Sequence, residues 1–437
     1  MSLKRIDRSI LSLALPAIVN NITVPLLGLC DTAVAGHLGD AASIGAVAVG
    51  AMMMNVIFWL CGFLRAGTSG LTAQAYGSGS AESLFAVLKQ AITIGLCIAL
   101  AVILLKTPLL KLFLYIISPQ PSVEALASTY FNIGVWGAPA QLIVMACSGW
   151  FIGRQNTVLP MFVSVGMNVL NIVLSVTLVF LLKIGFAGII WGTLTASWCG
   201  AIAILLCVRH VKIKLRKSAS IRQSGSGTAI TYRKFFGVSA DLFLRSACIM
   251  SVSMAMTSVS ARLGNLPLAA NAVMTQFFLF FSYFMDGFAF AGEALVGKAV
   301  GACSHDELRE AVKSLMRWGV WMALSFTLIY LVGSDPIVSL LTDDASVRSA
   351  VSQMNLWLTL LPAITVMAFI FDGIFIGWAK TRPLFVTTLI ATAIFFSVIF
   401  LSHSATPSMA LLWTGFEIYL FLRGALLMLI YRKIKMN

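Results

Sequence analysis

The 437-residue chain reads as an all-α integral membrane protein, with twelve transmembrane helices in two six-helix lobes related by pseudo-two-fold symmetry. Three observations predict this. Hydrophobic residues make up 59% of the chain, charged residues only 11%, and the mean hydropathy is +0.95, far from the mix of a water-soluble globular protein. The apolar residues are gathered into runs of about 20, the length that crosses a hydrocarbon core. The chain is also doubled about its midpoint.

The runs fall at roughly 12–35, 44–64, 86–109, 127–152, 158–182, 186–207, 236–260, 267–292, 312–333, 351–376, 383–402 and 408–431. They are continuously apolar, whereas a membrane barrel alternates in short segments, so strands are excluded. The doubling is visible residue by residue. Asp31-Thr32, His37-Leu38-Gly39-Asp40, Cys61-Gly62-Phe63 and Ala66-Gly67 correspond, at a constant offset of 225, to Met256-Thr257, Arg262-Leu263-Gly264-Asn265, Asp286-Gly287-Phe288 and Ala291-Gly292. With a slip of one, Gln74 to Gly77 match Lys298 to Gly301, and Gly149-Trp150-Phe151-Ile152-Gly153 match Gly373-Ile374-Phe375-Ile376-Gly377. This is the pattern of a secondary transporter, whose repeats enclose a site near the bilayer midplane. Six helices per repeat make the repeats parallel, related by an axis along the membrane normal.

The net charge of +14 and pI near 9.6 could suggest nucleic acid, but the bases collect at alternate helix ends. They lie at Lys4, Arg5 and Arg8, at Arg154, between Arg209 and Lys234, at Arg309, Lys313 and Arg317, at Lys380 and Arg382, and at Arg432, Lys433 and Lys435. The intervening loops carry Asp40, Glu124, Asp335, Asp343 and Asp344. By the positive-inside rule both termini and the 208–234 segment are expected to be cytoplasmic, so the basic surplus is topology and contact with lipid headgroups. Residues 208–234, basic and rich in Ser and Gly, read as a linker between an N-terminal lobe of 1–207 and a C-terminal lobe of 235–437. The eight cysteines are scattered through apolar spans without CxxC or zinc-ligand spacing. The N-terminal apolar run ends in no small-residue cleavage site, so a removed signal peptide is not expected.

Polar groups inside the spans carry the functional reading. A carboxylate at the bilayer centre costs about 2.5–3.5 kcal/mol even on the lenient insertion scale. Asp31 is the sharpest instance, because its repeat partner is Met256 and the architecture therefore needs no acid there. Asn20 lies eleven residues earlier, about 20° away around a helix, so the two form a polar stripe. Removal from water disfavours an ionised carboxyl, so at such a site a proton can compete with a cationic ligand. Asn168, Asn171 and Ser175 share one helix face and suit either cavity lining or interhelical hydrogen bonding, as do Thr193 and Thr195. Asp241 and Arg245, four apart, are expected to pair with each other. Asp286, Glu293 and Asp372 are candidates for a C-lobe cation site or for buried ion pairs; Glu417 and Arg423 are expected to pair or to reach toward the interface. Met52 to Met54 and the phenylalanines from Phe277 to Phe284 suit apolar ligands or packing.

From Asn21 through Pro25 and Asp31 to Leu38, the chain resembles the multidrug and toxic compound extrusion family, specifically its DNA-damage-inducible F (DinF) subfamily. Gly70 to Ala75, Asp286 to Ala294 and Asp372 to Gly377 are similar to further landmarks of that subfamily. The resemblance implies a twelve-helix, two-lobe antiporter that expels organic cations or amphipathic compounds against inward flow of protons or sodium. It implies that Asp31 is the proton-coupling or cation-binding residue and that Asn171 and Thr193 match polar positions of that lobe; Asn20, Asn21 and Ser175 are further candidates for cavity lining or hydrogen bonding, and Pro25 is the expected helix hinge. One departure stands out. The family commonly shows Asn-Ile-Val-Leu-Asp where this chain reads Asn171-Ile172-Val173-Leu174-Ser175, so a two-carboxylate site cannot be carried over and Asn171 and Thr193 are left as expected partners of Asp31. The resulting expectation is a cofactor-free, monomeric efflux protein of the bacterial inner membrane, coupled to H⁺ or alternatively Na⁺, touching lipids and small amphipathic or cationic substrates but no nucleic acid. A lipid-linked precursor flippase is the alternative transporter. A membrane-embedded lipid-modifying enzyme is less favoured, since the sequence has no HExxH, GxSxG or His cluster.

Overall fold

The computed structural model describes residues 3–38, 41–219, 232–402 and 408–436. Among these the regular structure is helical. The helices up to residue 219 are α1 (Leu3–Gly36), α2 (Ala41–Leu60), α3 (Phe63–Gly77), α4 (Ala81–Leu104), α5 (Lys106–Ile117), α6 (Pro121–Gly134), α7 (Ala138–Gly153), α8 (Val158–Val176) and α9 (Ala187–Ala219). Then come α10 (Tyr232–Leu263), α11 (Asn265–Gly301), α12 (His305–Leu341), α13 (Ala345–Gln353), α14 (Asn355–Gly377), α15 (Thr381–Ser402) and α16 (Met409–Met436). Twelve stretches of the described residues are long and apolar enough to cross a membrane, with α2 and α3 forming one and α6 and α7 another. The expected linker is partly helical. Residues 208–219 continue α9 and 232–234 begin α10, while 220–231 lie outside the described residues.

Packing divides the chain into two units, Pro16–Phe235 and Met1–Leu15 with Phe236–Asn437. The later boundary falls at Phe235, close to the expected 235, but residues up to Leu15 go with the second unit. A specific contact explains this. Asp7 of α1 accepts from Arg317 Nη2 at 2.5 Å through both carboxylate oxygens and from Trp318 Nε1 at 3.2 Å, and both donors lie on α12. The helix α1, unbroken through Pro16 and Pro25, thus contributes to both units.

Within each unit the repeat is written into the backbone. Ser80 caps α4 by accepting from Ser83 N at 3.2 Å, and Ser304, 224 residues on, caps α12 by accepting from Glu307 N at 3.3 Å. Just before those caps the chain turns through a left-handed residue, Gly79 (φ 74°) in one unit and Cys303 (φ 52°) in the other. Gln155 and Ala379, again 224 apart, adopt positive φ of 65° and 52° where α7 and α14 end.

The matched motifs Gly149 to Gly153 and Gly373 to Gly377 prove to be packing devices. In the first unit α7 lies on α3 so closely that a Cβ on Gly149 would overlap the Arg65 carbonyl, and one on Gly153 would come within 2.5 Å of Ser69 O. In the second unit α14 lies on α11 in the same way: Gly373 meets Ala289, and a Cβ on Gly377 would stand 2.7 Å from Glu293 O. Small residues four apart let helix backbones touch where hydrophobic driving force between helices is absent. Several phenylalanines of α11 pack on α12: Phe281 and Phe284 meet Phe326 edge-on at 5.2 and 5.0 Å, and Phe277 meets Tyr330 at 5.0 Å.

Valine at Gly153 or Gly377 is expected to destabilise the protein by about 1–3 kcal/mol or more through forced separation of the paired helices. Valine at Gly166, where a Cβ meets nothing within 4 Å, should be nearly neutral. Melting of the purified variants in detergent checks this: equal melting temperatures for all three would refute the close-crossing account.

Candidate functional site

Asp31 sits in the last turns of α1, 6% exposed, and its Oδ1 is buried with no hydrogen-bond partner among the described residues. One turn on, Val34 and Ala35 enter an apolar cluster with Val47, Met53, Met54 and Ile57 of α2, Tyr130 and Phe131 of α6, and Ile189 and Ile190 of α9. Tyr130 is within electrostatic reach of Asp31. Its ring is pressed onto Gly50, where a Cβ would come within 2.5 Å of Cδ1. The polar stripe expected on α1 is present, because Asn20 Oδ1 is likewise buried without a partner. Between the two lies Pro25, which has no N–H to donate to the carbonyl of Asn21. The carbonyls near this gap are tended by side chains: Thr23 Oγ1 donates to Asn20 O at 2.8 Å, and Asn168 Nδ2 of α8 donates to Thr23 O at 3.4 Å.

The other expected partners of Asp31 are turned toward one another. Asn171 Nδ2 donates to Thr193 Oγ1 at 2.8 Å, and Ser175 Oγ stands 3.2 Å from Asn171 Oδ1 and 3.3 Å from Ile189 O. The chain of contacts continues from Thr193 O to Ser197 Oγ at 2.8 Å and on to Gln141 Nε2 of α7 at 3.1 Å. Asn171, Ser175 and Ser197 are all buried. This set binds α8 to α9. A Cβ on Gly192 would stand 2.6 Å from Ser175 Oγ and 2.8 Å from its backbone nitrogen, so residue 175 sits where the two helices are in direct contact. Sequence reasoning found Asn171, Ser175 and Thr193 but missed Gln141, Ser197 and Tyr130, whose involvement depends on which helices pack together.

The second unit corrects two expectations. Asp241 and Arg245 do not pair with each other. Asp241 accepts from Thr381 Oγ1 at 3.0 Å and Arg382 Nη1 at 3.2 Å, while Arg245 pairs with Asp372. Asp372 Oδ2 also accepts from Arg423 Nη2 at 2.8 Å, and Arg423 Nη1 lies 3.4 Å from the Tyr419 hydroxyl. Two guanidinium groups on one buried carboxylate leave a local surplus of positive charge, which repels an added cation. A cation site centred on Asp372 therefore does not fit the geometry. Asp286 is partly buried and Glu293 fully buried on α11, each engaged by neighbouring groups. Glu417, expected to pair with Arg423 or reach the interface, does not pair with it: Glu417 is buried, and Arg423 is committed to Asp372.

A family model, MatE, matches residues 16–177 and 242–401, the bulk of both units. The chain belongs to the MatE family. It is 35% identical over 429 residues to the DNA damage-inducible protein F of Escherichia coli strain K12, with 98% of this chain and 92% of that protein covered. It is 25% identical to the multidrug resistance protein MdtK of Edwardsiella ictaluri, covering 94% and 92% of the two chains. Among solved structures, the Vibrio cholerae MATE transporter VcmN in its bent form matches with a TM-score of 0.82 at 19% identity, covering 99% of this chain and 97% of that one. A MOP superfamily transporter from Pyrococcus furiosus, reported to have a binding pocket of reversed polarity, also matches with a TM-score of 0.82 at 18% identity, covering 98% and 95%. The protein is thus a multi-pass MatE transporter rather than an enzyme.

For this MatE protein the ion cluster of the second unit makes a sharp stability prediction. Asp372→Ala removes the carboxylate that Arg245 and Arg423 share and leaves a buried and a mostly buried cation side by side. Breaking a buried pair from one side costs about 3–5 kcal/mol. A large fall in detergent melting temperature is expected, larger than for Asp372→Asn, which retains an acceptor oxygen. An unchanged melting curve for the alanine variant would show that the cluster does not form.

Proposed function

We propose that this chain is a secondary active efflux transporter that exports organic cations or amphipathic compounds by proton antiport through alternating access. The observation that carries this reading is Asp31, an acid with a buried oxygen and no hydrogen-bond partner among the described residues. An unpaired carboxylate in such surroundings favours either a proton or a positively charged ligand, and the two exclude each other. The cycle follows from that competition. With a cation bound, Asp31 is ionised. A proton arriving from outside neutralises it, weakens its hold on the cation and permits release.

Pro25 is proposed as the hinge. Pro25 has no N–H with which to continue the helical ladder, which makes α1 easier to bend there, and the Asn168 contact at Thr23 offers a bond that can be exchanged. Energetically one carboxyl suffices. A charge crossing 100 mV is worth about 2.3 kcal/mol, and each tenfold gradient of a neutral solute takes about 1.4 kcal/mol. A membrane potential of about 150 mV therefore supports more than a hundredfold accumulation per proton. The likeness to bacterial relatives supports placement in a bacterial inner membrane, and the basic helix ends support cytoplasmic termini. A monomer is proposed as the working unit, and sodium is the competing choice of coupling ion.

The reading is tested in proteoliposomes with an imposed pH gradient and independently varied sodium, following a fluorescent organic cation. Wild type should move it in response to the proton gradient at any sodium level. Asp31→Asn should fall at least tenfold, to the rate seen without a gradient; full proton-driven transport by that variant would remove Asp31 from the coupling role. A second variant addresses the hinge. Pro25→Ala restores the missing hydrogen bond and should slow turnover several-fold while leaving equilibrium cation binding nearly unchanged, whereas wild-type turnover would rule out bending at this residue.

A further inference from the structure

The second unit holds an acid that the cycle above does not use. Glu417 lies inside the candidate span Met409–Ile434, 8% exposed, with Oε1 buried and unpartnered among the described residues. One turn earlier on the same face of α16 is Trp413, 1% exposed, whose Nε1 is also without a partner. Gly424, two turns after Glu417, packs on Met367 and Ala368, so this face is directed at α14.

The charges on the elements packed against α16 are committed elsewhere. The one ionisable residue of α14 is Asp372, held by Arg245 and Arg423. The one on α15 is Arg382, which binds Asp241. On α16 itself, Tyr419 meets Arg423, and Tyr431 and the bases beyond it follow at the far end. The helix α11 reaches α16 through the ring contact of Phe278 with Phe416, while its Tyr283, Asp286, Glu293 and Lys298 lie further along, the two acids engaged by other groups. On α10, which touches α16 where Ser260 meets Met409, Arg245 and Asp241 are paired as described, and Cys248 and Arg262 complete its ionisable groups in that region.

The repeat gives the position meaning. The 224-residue offset that relates Gly149 to Gly373 also relates Gly200 to Gly424, and it places Glu417 on Thr193, a member of the polar set joining α8 to α9. Asp31 in turn has Met256 as its counterpart. Asp31 and Glu417 are thus buried acids on non-equivalent helices, each with a buried oxygen and no ion pair among the described residues. An ionised carboxylate so placed costs about 2.5–3.5 kcal/mol even by the lenient scale, and protonation removes most of that cost.

We propose that Glu417 is a second proton-binding site of this transporter, loaded and emptied in the second unit independently of Asp31. Its part in transport rests on the proton-antiport reading, but the site itself is tested without transport. Proton uptake by purified protein is measured with an indicator dye between about pH 9 and about pH 6, an interval in which an ordinary glutamate, with a pKa of about 4.3, stays ionised. Glu417→Gln should take up one proton fewer than wild type, and the same difference should persist in an Asp31→Asn background. Equal uptake with and without Glu417 overturns the proposal whatever Asp31 does. A second measurement needs no variant. Dicyclohexylcarbodiimide couples to protonated carboxyls in apolar surroundings, and peptide mapping of the unmodified protein should find an adduct on Glu417 that grows as the pH is lowered. No adduct, or one of constant yield, would equally overturn it.

Discussion

A bilayer interior offers no water to share a charge, so every ionisable side chain there has to be neutralised by something within reach or by a proton. That constraint sorts the acids of this chain. Asp7 is matched by Arg317 and Trp318, Asp241 by Arg382 and Thr381, and Asp372 by two arginines. Those acids read as architecture. Asp31 and Glu417 are buried and make no ion pair or side-chain hydrogen bond among the described residues, and chemistry that changes during a working cycle is concentrated where the neutralising partner is missing.

The two repeats share a skeleton and differ in what is hung on it. Glycines at 149, 153, 373 and 377 set the closest helix crossings, serines at 80 and 304 start equivalent helices, and left-handed turns recur at matching positions. The polar side chains do not follow this symmetry. Asp31 faces Met256 in the alignment of the repeats, and Thr193 faces Glu417. Identical scaffolding with unlike chemistry is what a duplicated fold needs if its halves are to do different jobs, since polar groups can be exchanged where the backbone crossings do not depend on them.

Much of the architecture was legible from the sequence because it is periodic or repeated: the spans follow from runs of apolar residues, and the doubling from a fixed offset. The sequence also singled out Asp31, whose isolation on an apolar helix is a local property. What it could not supply was tertiary choice. The spacing of Asp241 and Arg245 suggested a pair, yet each finds a better partner more than a hundred residues away. The contact of Asp7 with Arg317 spans 310 positions and moves the start of α1 into the second unit, which no composition break announces. Asn171 and Thr193 were identified as polar and inward-facing, but that they bind each other rather than Asp31 depends on how α8 lies against α9. The Gly149 and Gly373 motifs stood out as repeated landmarks, and only the crossings reveal that they are packing.

The contact between Ser175 and Gly192 ties two positions into one. Ser175 Oγ fills the space that any side chain at 192 would need, and the absence of a side chain at 192 is what lets α8 approach α9. Volume added at 192 must be removed at 175, so substitutions at the pair should be non-additive in their energies. A side chain at 192 is then not a single replacement but a change of interhelical spacing, unless residue 175 gives up its hydroxyl in exchange.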